Sequence, residues 1–98
     1  MITRVSEALV KAGREQEFVE RVRDLVKTFP ETYEGLLAHQ VLVDLDDPQK
    51  VQYVSRWRDE QALEGYAGPN WRTDPVTFPD EDEYLRQPLK LRHFRDVS

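Results

Sequence analysis

Apolar side chains recur at helical spacing in the stretch between Arg14 and Pro30. They fall at positions i, i+4, i+7 and i+11, and charged residues fill most of the positions between them. This spacing predicts an amphipathic helix, because it places the apolar residues on one face, and Pro30 is expected to stop it. The apolar face consists of Phe18, Val22, Leu25 and Phe29, widened by Val19 and Val26.

Four other stretches are rich in β-branched and apolar residues and are bounded by turn formers, which predicts four strands. They cover residues 2–10, 36–43, 51–57 and 89–94. A short helix is predicted before the fourth strand, with Asp59 as its cap and Gly68 and Pro69 at its end. The order β-α-β-β-α-β predicts one α+β domain over residues 1–98, a ferredoxin-like subunit with a four-stranded antiparallel sheet and helices on one face.

Both faces of the second predicted strand carry apolar side chains. Strict alternation places Leu37, His39, Val41 and Val43 on one face and Leu36, Ala38 and Leu42 on the other. A sheet with one solvated face alternates apolar and polar residues, so we expect both faces to be covered. One helical layer covers only one of them. We therefore predict that the other face meets a second copy of the chain in a homodimer.

Composition narrows the possible partners. The chain of 98 residues has 14 Lys and Arg against 19 Asp and Glu, a net charge of −5. This balance argues against nucleic acid and anionic membrane surfaces as partners, since both require a basic footprint. The absence of cysteine excludes disulfides, thiolate metal sites and cysteine nucleophiles. No apolar run approaches the ~18 residues of a membrane span, and no signal peptide is recognisable, so we expect a cytoplasmic protein.

Aromatic residues concentrate in the third strand and in the helical segment after it. With three polar side chains they are placed to line an apolar pocket at one end of the sheet, suited to a small molecule. The alternative is an ordinary aromatic core. The aromatic residues are Tyr53, Trp57, Tyr66 and Trp71, and the polar ones are Ser6, Ser55 and Arg72.

The remaining polar groups suggest no metal site. His39 and His93 fall on the two edge strands of the predicted sheet, too far apart to share a metal ion within one chain. His39 is a candidate to line a ligand site. The acidic run from Asp80 to Glu83 is expected to be a solvated loop or the start of a helix.

From end to end, the chain resembles the antibiotic biosynthesis monooxygenase-like family of dimeric α/β barrels. The resemblance covers about nine-tenths of the chain. The segments that carry it are Val10-Lys11-Ala12-Gly13, Glu17-Phe18, Gly35-Leu36-Leu37, Val41-Leu42-Val43-Asp44, Asp46-Asp47-Pro48, Tyr53-Val54-Ser55-Arg56-Trp57-Arg58-Asp59, Gln61-Ala62-Leu63 and Gly68-Pro69-Asn70-Trp71-Arg72.

The resemblance implies a homodimeric barrel with a pocket between the sheet and the helices of each subunit. It also implies oxidation of a small planar aromatic, a quinol or a polyketide-like molecule, by molecular oxygen without a cofactor. In such a site Trp57 would pack the ring, Ser6 and Tyr53 would orient oxygen atoms, and Arg72 would stabilise a phenolate. The residues expected to contact the substrate are His39, Tyr53, Tyr66 and Trp71.

Three alternatives remain at this stage. The first is a non-catalytic, small-molecule-binding or stress-associated homodimer of the same fold. The second is isomerase or lyase chemistry, for which His39 is the candidate general base. The third, oxidative opening of haem, is disfavoured because Ser6 and Ala67 replace the Asn and Trp of that branch, and no histidine lies between His39 and His93.

Overall fold

The computed structural model describes all 98 residues. The strands are β1 (Ile2–Leu9), β2 (Leu36–Val43), β3 (Lys50–Trp57) and β4 (Lys90–Arg95), and the helices are α1 (Glu15–Val26), α2 (Phe29–Thr32), α3 (Glu60–Ala67) and a 3₁₀ helix at Glu81–Tyr84. All strand pairs are antiparallel, in the order β2-β3-β1-β4. This arrangement confirms the predicted ferredoxin-like α+β subunit.

The first helix is shorter than predicted. It ends at Val26, and Pro30 lies in the first turn of the separate helix α2 rather than at the end of α1. Proline is favoured in a first turn, because the amide hydrogen that it lacks would have no helical partner there. The predicted apolar face holds, since Phe18, Val22 and Val26 are all buried against the sheet.

Because of a β-bulge, the side chains of β2 are not divided between the two faces of the sheet as predicted. The pairing with β3 shifts between Leu36 and Ala38, so that Leu36 faces Trp57 while Ala38 pairs with Arg56. Leu36 therefore packs into the core, and Leu37 is 46% exposed. An extra residue in one strand breaks the alternation on which the prediction depended.

The third helix begins and ends where the sequence predicted. Its cap is Asp59, whose side chain accepts a hydrogen bond of 2.8 Å from the Ala62 amide, and it gives way to Gly68 in the left-handed half of backbone space. Gly35 allows this helix to approach the start of β2, because a Cβ there would lie 2.2 Å from that of Ala62.

Two apolar clusters fill the space between the helices and the sheet. The larger joins α1 and α2 to β1 and β3 and includes Ala8, Phe18, Phe29 and Val51, whereas the smaller contains Trp57, Leu63 and Trp71. The residue pair Asn70 and Trp71 belongs to a turn, in which the amides of Thr73 and Asp74 both donate to the Asn70 carbonyl.

Residues 73–89, which we call the strap, run from α3 to β4 along the helical side of the molecule. Phe78 and Tyr84 anchor the strap in the core beside Phe18, with ring centroids 5.7 and 6.0 Å from that of Phe18. Arg21 of α1 donates to the Pro79 carbonyl at 3.2 Å and lies 4.5 Å above the Phe78 ring.

The opposite face of the sheet has no covering layer within one chain. Apolar residues at this face or its bulge include Leu37, Leu42 and Phe94, which are 41–51% exposed. Val5 and Val54 pair with each other near its centre and are half-buried. No helix of the structure is both long enough and apolar enough to cross a membrane.

Candidate functional site

A small cavity lies between the sheet and α1, with a volume of about 30 Å³. One wall consists of apolar side chains from α1, Phe18, Val22, Leu25 and Val26. The polar lining comes from four different parts of the chain: Arg4 and Ser6 of β1, Tyr53 of β3, Tyr66 of α3 and Glu81 of the strap. A mostly apolar cavity with a few convergent polar groups is the usual form of a small-molecule site.

The most deeply placed charge in the cavity is Arg4, which is 3% exposed. Strand alternation turns Arg4 toward the helices along with Ser6, and one guanidinium nitrogen, Nη2, donates to the Asp74 carbonyl at 2.7 Å. The other, Nη1, donates to the Trp71 carbonyl and lies 3.2 Å from His93 Nε2. No carboxylate lies within ion-pair distance of it. Burial lowers the pKa of Arg4, and Tyr66 and the Asp74 carboxylate oppose this shift, although Asp74 forms no ion pair with the guanidinium.

Glu81 is the second buried ionisable group, 5% exposed at the start of the 3₁₀ helix. Its Oε1 accepts a hydrogen bond of 3.1 Å from the Phe78 amide, whereas Oε2 has no hydrogen bond within the chain. Burial raises the pKa of Glu81 to about 7. The run from Asp80 to Glu83 was expected to be a solvated loop or the start of a helix, and a 3₁₀ helix does begin at Glu81. Glu81 itself is not solvated, because Phe78 and Tyr84 on either side of it pack into the core.

Two tyrosines and a serine complete the polar lining. Burial raises the pKa of both Tyr53 and Tyr66 above the ordinary range, so each stays a neutral hydroxyl at physiological pH. The Tyr53 hydroxyl lies 2.8 Å from His39 Nδ1. The hydroxyls of Ser6 and Tyr66 have no hydrogen bond within the chain. Every polar side-chain atom that is fully buried does have a hydrogen-bond partner. These two hydroxyls are therefore open to the cavity or to solvent.

Of the predicted site residues, the structure brings Ser6, Tyr53 and Tyr66 to the cavity. Trp57 lies behind the lining, fully buried, with its ring stacked on Tyr66 at 4.6 Å between centroids. The indole Nε1 of Trp57 donates to Ser55 Oγ at 2.9 Å. Both groups are thereby satisfied inside the smaller apolar cluster.

The other three predicted residues lie outside the cavity lining. Arg72 is exposed and stands 4.5 Å above the Trp71 ring, which packs edge-on against His93 at 4.8 Å. His39 faces a groove between β2 and α1 that Arg23 and Lys27 also line. His39 and His93 occupy opposite edges of the sheet, as predicted, and no group of three histidine or carboxylate side chains is arranged to hold a metal ion.

An open pocket adjoins the cavity on the side of the strap, with a volume of about 710 Å³. We call it the mouth. Glu81 and Leu89 line both the mouth and the cavity, so these two side chains form the wall between them. The rest of the mouth is lined by strap residues, among them three prolines, Pro75, Pro79 and Pro88.

The sheet order and the cavity beneath the helices define an α+β subunit of the ferredoxin-like class. Residues 1–68 match the family described as antibiotic biosynthesis monooxygenase, and the chain belongs to that family. No curated protein matches the sequence.

Several solved structures share the fold. One is the crystal structure of an antibiotic biosynthesis monooxygenase, with 21% identity, complete coverage of both chains and a TM-score of 0.77. Another is a conserved protein from Methanosarcina mazei Go1, with 23% identity, coverage of 98% of this chain and 92% of that one, and a TM-score of 0.78. A third is PA3566 from Pseudomonas aeruginosa, with 21% identity, coverage of 99% and 94%, and a TM-score of 0.75. At these identities the likeness concerns the fold alone.

Sequence reasoning missed Arg4 and Glu81, the two charged groups of the cavity. A signal was present for Arg4, because it shares the alternation of Ser6 and Ala8 and therefore their face of β1. Glu81 gave no comparable signal, because the 3₁₀ helix begins only at Glu81 and Phe78 lies outside it.

Proposed function

We propose that the protein is a cofactor-independent monooxygenase that oxidises a small planar aromatic, a quinol or a polyketide-like molecule, as a cytoplasmic homodimer. The observation that carries the proposal is the cavity, in which apolar side chains surround a polar end made by Arg4, Ser6, Tyr53, Tyr66 and Glu81. Family membership supports a monooxygenase-like fold and is consistent with this chemistry.

The reaction needs an electron-rich substrate that itself reduces oxygen. The substrate gains one oxygen atom at a ring CH₂ or CH and loses two hydrogen atoms overall, and these leave with the second oxygen atom as water. The chain contributes a dry cavity and hydrogen bonds to the substrate oxygens. Ser6, Tyr53 and Tyr66 supply hydroxyls, and in this proposal Arg4 takes the phenolate-stabilising role that the sequence suggested for Arg72. Trp57 supports Tyr66 from behind.

The cavity requires some opening before it holds a ring. An apolar cavity that binds benzene has a volume of ~150 Å³, whereas this one measures about 30 Å³. The mouth has sufficient space, and Glu81 and Leu89 are the two residues that line both it and the cavity. Displacement of these two side chains would join the two spaces into one site.

The test is oxygen consumption with anthrone or a hydroquinone as substrate, under ¹⁸O₂. We expect one oxygen molecule per product, one labelled atom in the product and no hydrogen peroxide. The variants Ser6→Ala and Tyr66→Phe each remove a hydroxyl from the cavity, and we expect a loss on the order of 10²-fold in kcat. Tyr33→Phe is the matched control, since the Tyr33 hydroxyl has no hydrogen bond and does not line the cavity.

Binding of the aromatic without oxygen uptake would favour the alternative, a non-catalytic small-molecule-binding or stress-associated homodimer. Hydrogen peroxide in place of labelled product would indicate simple oxidation and contradict oxygen insertion. Unchanged turnover in the folded Ser6→Ala and Tyr66→Phe variants would contradict the assignment of the cavity.

A further inference from the structure

We infer that Glu81 and Arg4 form an acid–base and oxyanion pair, so that the ligand of this cavity is an aromatic with an ionisable ring hydroxyl. The ligand O–H bond breaks, the proton passes to the Glu81 carboxylate, and the electron pair stays on the ring oxygen beside Arg4. This inference rests on the proposed aromatic-binding function and deepens it. No oxidant takes part in the step.

The first argument is the unbalanced charge of Arg4. Its guanidinium is nearly fully buried, and its partners are two backbone carbonyls and His93, none of which carries a negative charge. The Asp74 carboxylate raises the pKa of Arg4 but forms no ion pair with it. A buried cation without an ion pair is costly, and an anionic group on a ligand would offset that cost. Burial and the charge of Arg4 also lower the pKa of His93, which keeps that ring neutral beside it.

The second argument is the position of Glu81. Glu81 lines both the cavity and the mouth, which places it where the two spaces adjoin. Oε1 is held by the Phe78 amide, while Oε2 has no partner and is not sealed from solvent. Oε2 is therefore free to accept a proton from the ligand.

The third argument is the absence of competing groups around Glu81. The titratable groups that line the cavity with it are Arg4 of β1, Tyr53 of β3 and Tyr66 of α3. Both tyrosines stay neutral because burial raises the pKa of each. The residues that α1 contributes are all apolar, and so is Leu89 at the end of the strap. Glu81 is thus the only group of the cavity that exchanges a proton near pH 7.

The test uses 4-nitrophenol as the probe and titration calorimetry between pH 6 and 9. A complex that holds one proton between Glu81 and the ligand oxygen binds best near pH 7. Its Kd rises on the order of tenfold per pH unit above that, because each binding event must then take up a proton. In Glu81→Gln, which keeps a side-chain oxygen for the Phe78 amide, we expect the Kd to stay constant at alkaline pH.

Glu83→Gln is the matched control, since Glu83 is an exposed acid on the same 3₁₀ helix and should retain the wild-type profile. The role of Arg4 is tested by changing the ligand rather than the protein. The variant Arg4→Met would leave the carbonyls of Trp71 and Asp74 without their hydrogen-bond donor. We expect 4-nitroanisole, which has no ionisable hydroxyl, to bind at least tenfold more weakly than 4-nitrophenol at pH 7.

Four results would overturn the inference: no saturable binding of 4-nitrophenol, a constant Kd above pH 7 in the wild type, an unchanged slope in Glu81→Gln, or equal affinity for 4-nitroanisole. The outcome is separable from the oxygenase proposal. A Kd that depends on proton uptake, without oxygen insertion, would support the roles of Glu81 and Arg4 and contradict the oxygenase proposal. Oxygen insertion with a constant Kd would support the oxygenase proposal and contradict these roles.

Discussion

At the scale of single residues, the site is built from two charges that do not neutralise each other. Arg4 and Glu81 line one cavity, yet no ion pair joins them within 4.0 Å. Arg4 is satisfied by backbone carbonyls and Glu81 by a backbone amide. Each group is therefore held by the main chain, and neither is engaged in an ion pair with the other.

The raised pKa of Glu81 makes folding stability depend on pH. Its carboxyl titrates near 4.5 when unfolded and at about 7 when folded. Its contribution is therefore complete below pH 4.5 and is lost as the pH rises through 7. We compare the free energy of unfolding of wild type with that of Glu81→Gln. Between pH 4.5 and pH 7 we expect the wild-type value to fall by ~2 kcal/mol relative to the variant, a figure that allows for partial solvation of the charge.

Urea unfolding at several pH values between 4.5 and 8 measures this difference. Glu83→Gln again serves as the control, because an exposed carboxyl on the same helix should give the wild-type dependence. A constant difference between wild type and Glu81→Gln over the whole interval would show that Glu81 titrates normally in the folded chain.

Sequence alone found the aromatic members of the site region better than its charges. Tyr53 and Tyr66 were predicted because bulky aromatics at the end of a sheet suggest burial. Glu81 was missed, since an acidic residue among other acids gives no local sign of being inside. Its burial depends on contacts between Phe78, Tyr84 and α1 that are distant in sequence, and no local pattern encodes them.

At the scale of elements, the strap is the part of the fold that borders both the cavity and the mouth. It carries Glu81, Leu89 and most of the mouth, and it has only four residues of regular structure. Side chains of α1 and of Arg14, the residue that precedes it, hold the strap in place. Tyr84 donates a hydrogen bond of 2.8 Å to Glu17, Arg14 lies 3.9 Å above the Tyr84 ring, and Arg21 contacts both Phe78 and Pro79.

Removal of one of these attachments should loosen the strap while the sheet stays intact. In Arg21→Ala, which loses the contacts to Phe78 and Pro79, we expect amide hydrogen exchange over residues 78–85 to accelerate several-fold, with exchange in β1 and β3 unchanged. Arg23→Ala removes an exposed arginine of the same helix that makes no contact with the strap and should behave as wild type. Acceleration across the whole sheet would instead indicate general destabilisation.

The elements with strong periodicity were the ones that sequence predicted well. The apolar face of α1, the β2–β3 hairpin and the cap at Asp59 all appear as expected, because each is encoded by residues close together in the chain. The bulge at Leu37 was not foreseen. It lies two residues after Gly35, where the chain approaches α3 closely, and it puts the start of β2 one residue out of phase with the rest.

At the scale of the whole molecule, the outer face of the sheet explains why we propose a homodimer. The helices and the strap all lie on the other side, and this face carries Val5, Leu42, Val54 and Phe94. A chain of 98 residues has a small core of its own, with 16 residues buried. Burial of a second apolar face would add appreciably to its stability.

The variant Leu42→Glu tests the dimer. Leu42 is 41% exposed on the outer face and makes no contact with the cavity, so a charge there should oppose association without disturbing the fold. We expect wild type to sediment as a dimer at micromolar concentration and Leu42→Glu as a monomer with native circular dichroism. Leu45→Glu, in the fully exposed hairpin turn, is the control that should remain dimeric. A monomeric wild type would contradict the proposed assembly.

Strand β1 is made first but lies between β3 and β4 in the sheet, so the site is completed only after the later strands have been synthesised. Arg4 emerges from the ribosome first, yet its partners include Trp71, Asp74 and, on the last strand, His93. A nascent chain therefore carries an unsatisfied guanidinium on an incomplete sheet until these later residues have been synthesised. In the finished protein the guanidinium of Arg4 would bind a ligand anion. Before the partners of Arg4 are made, the same charged group keeps β1 in contact with water.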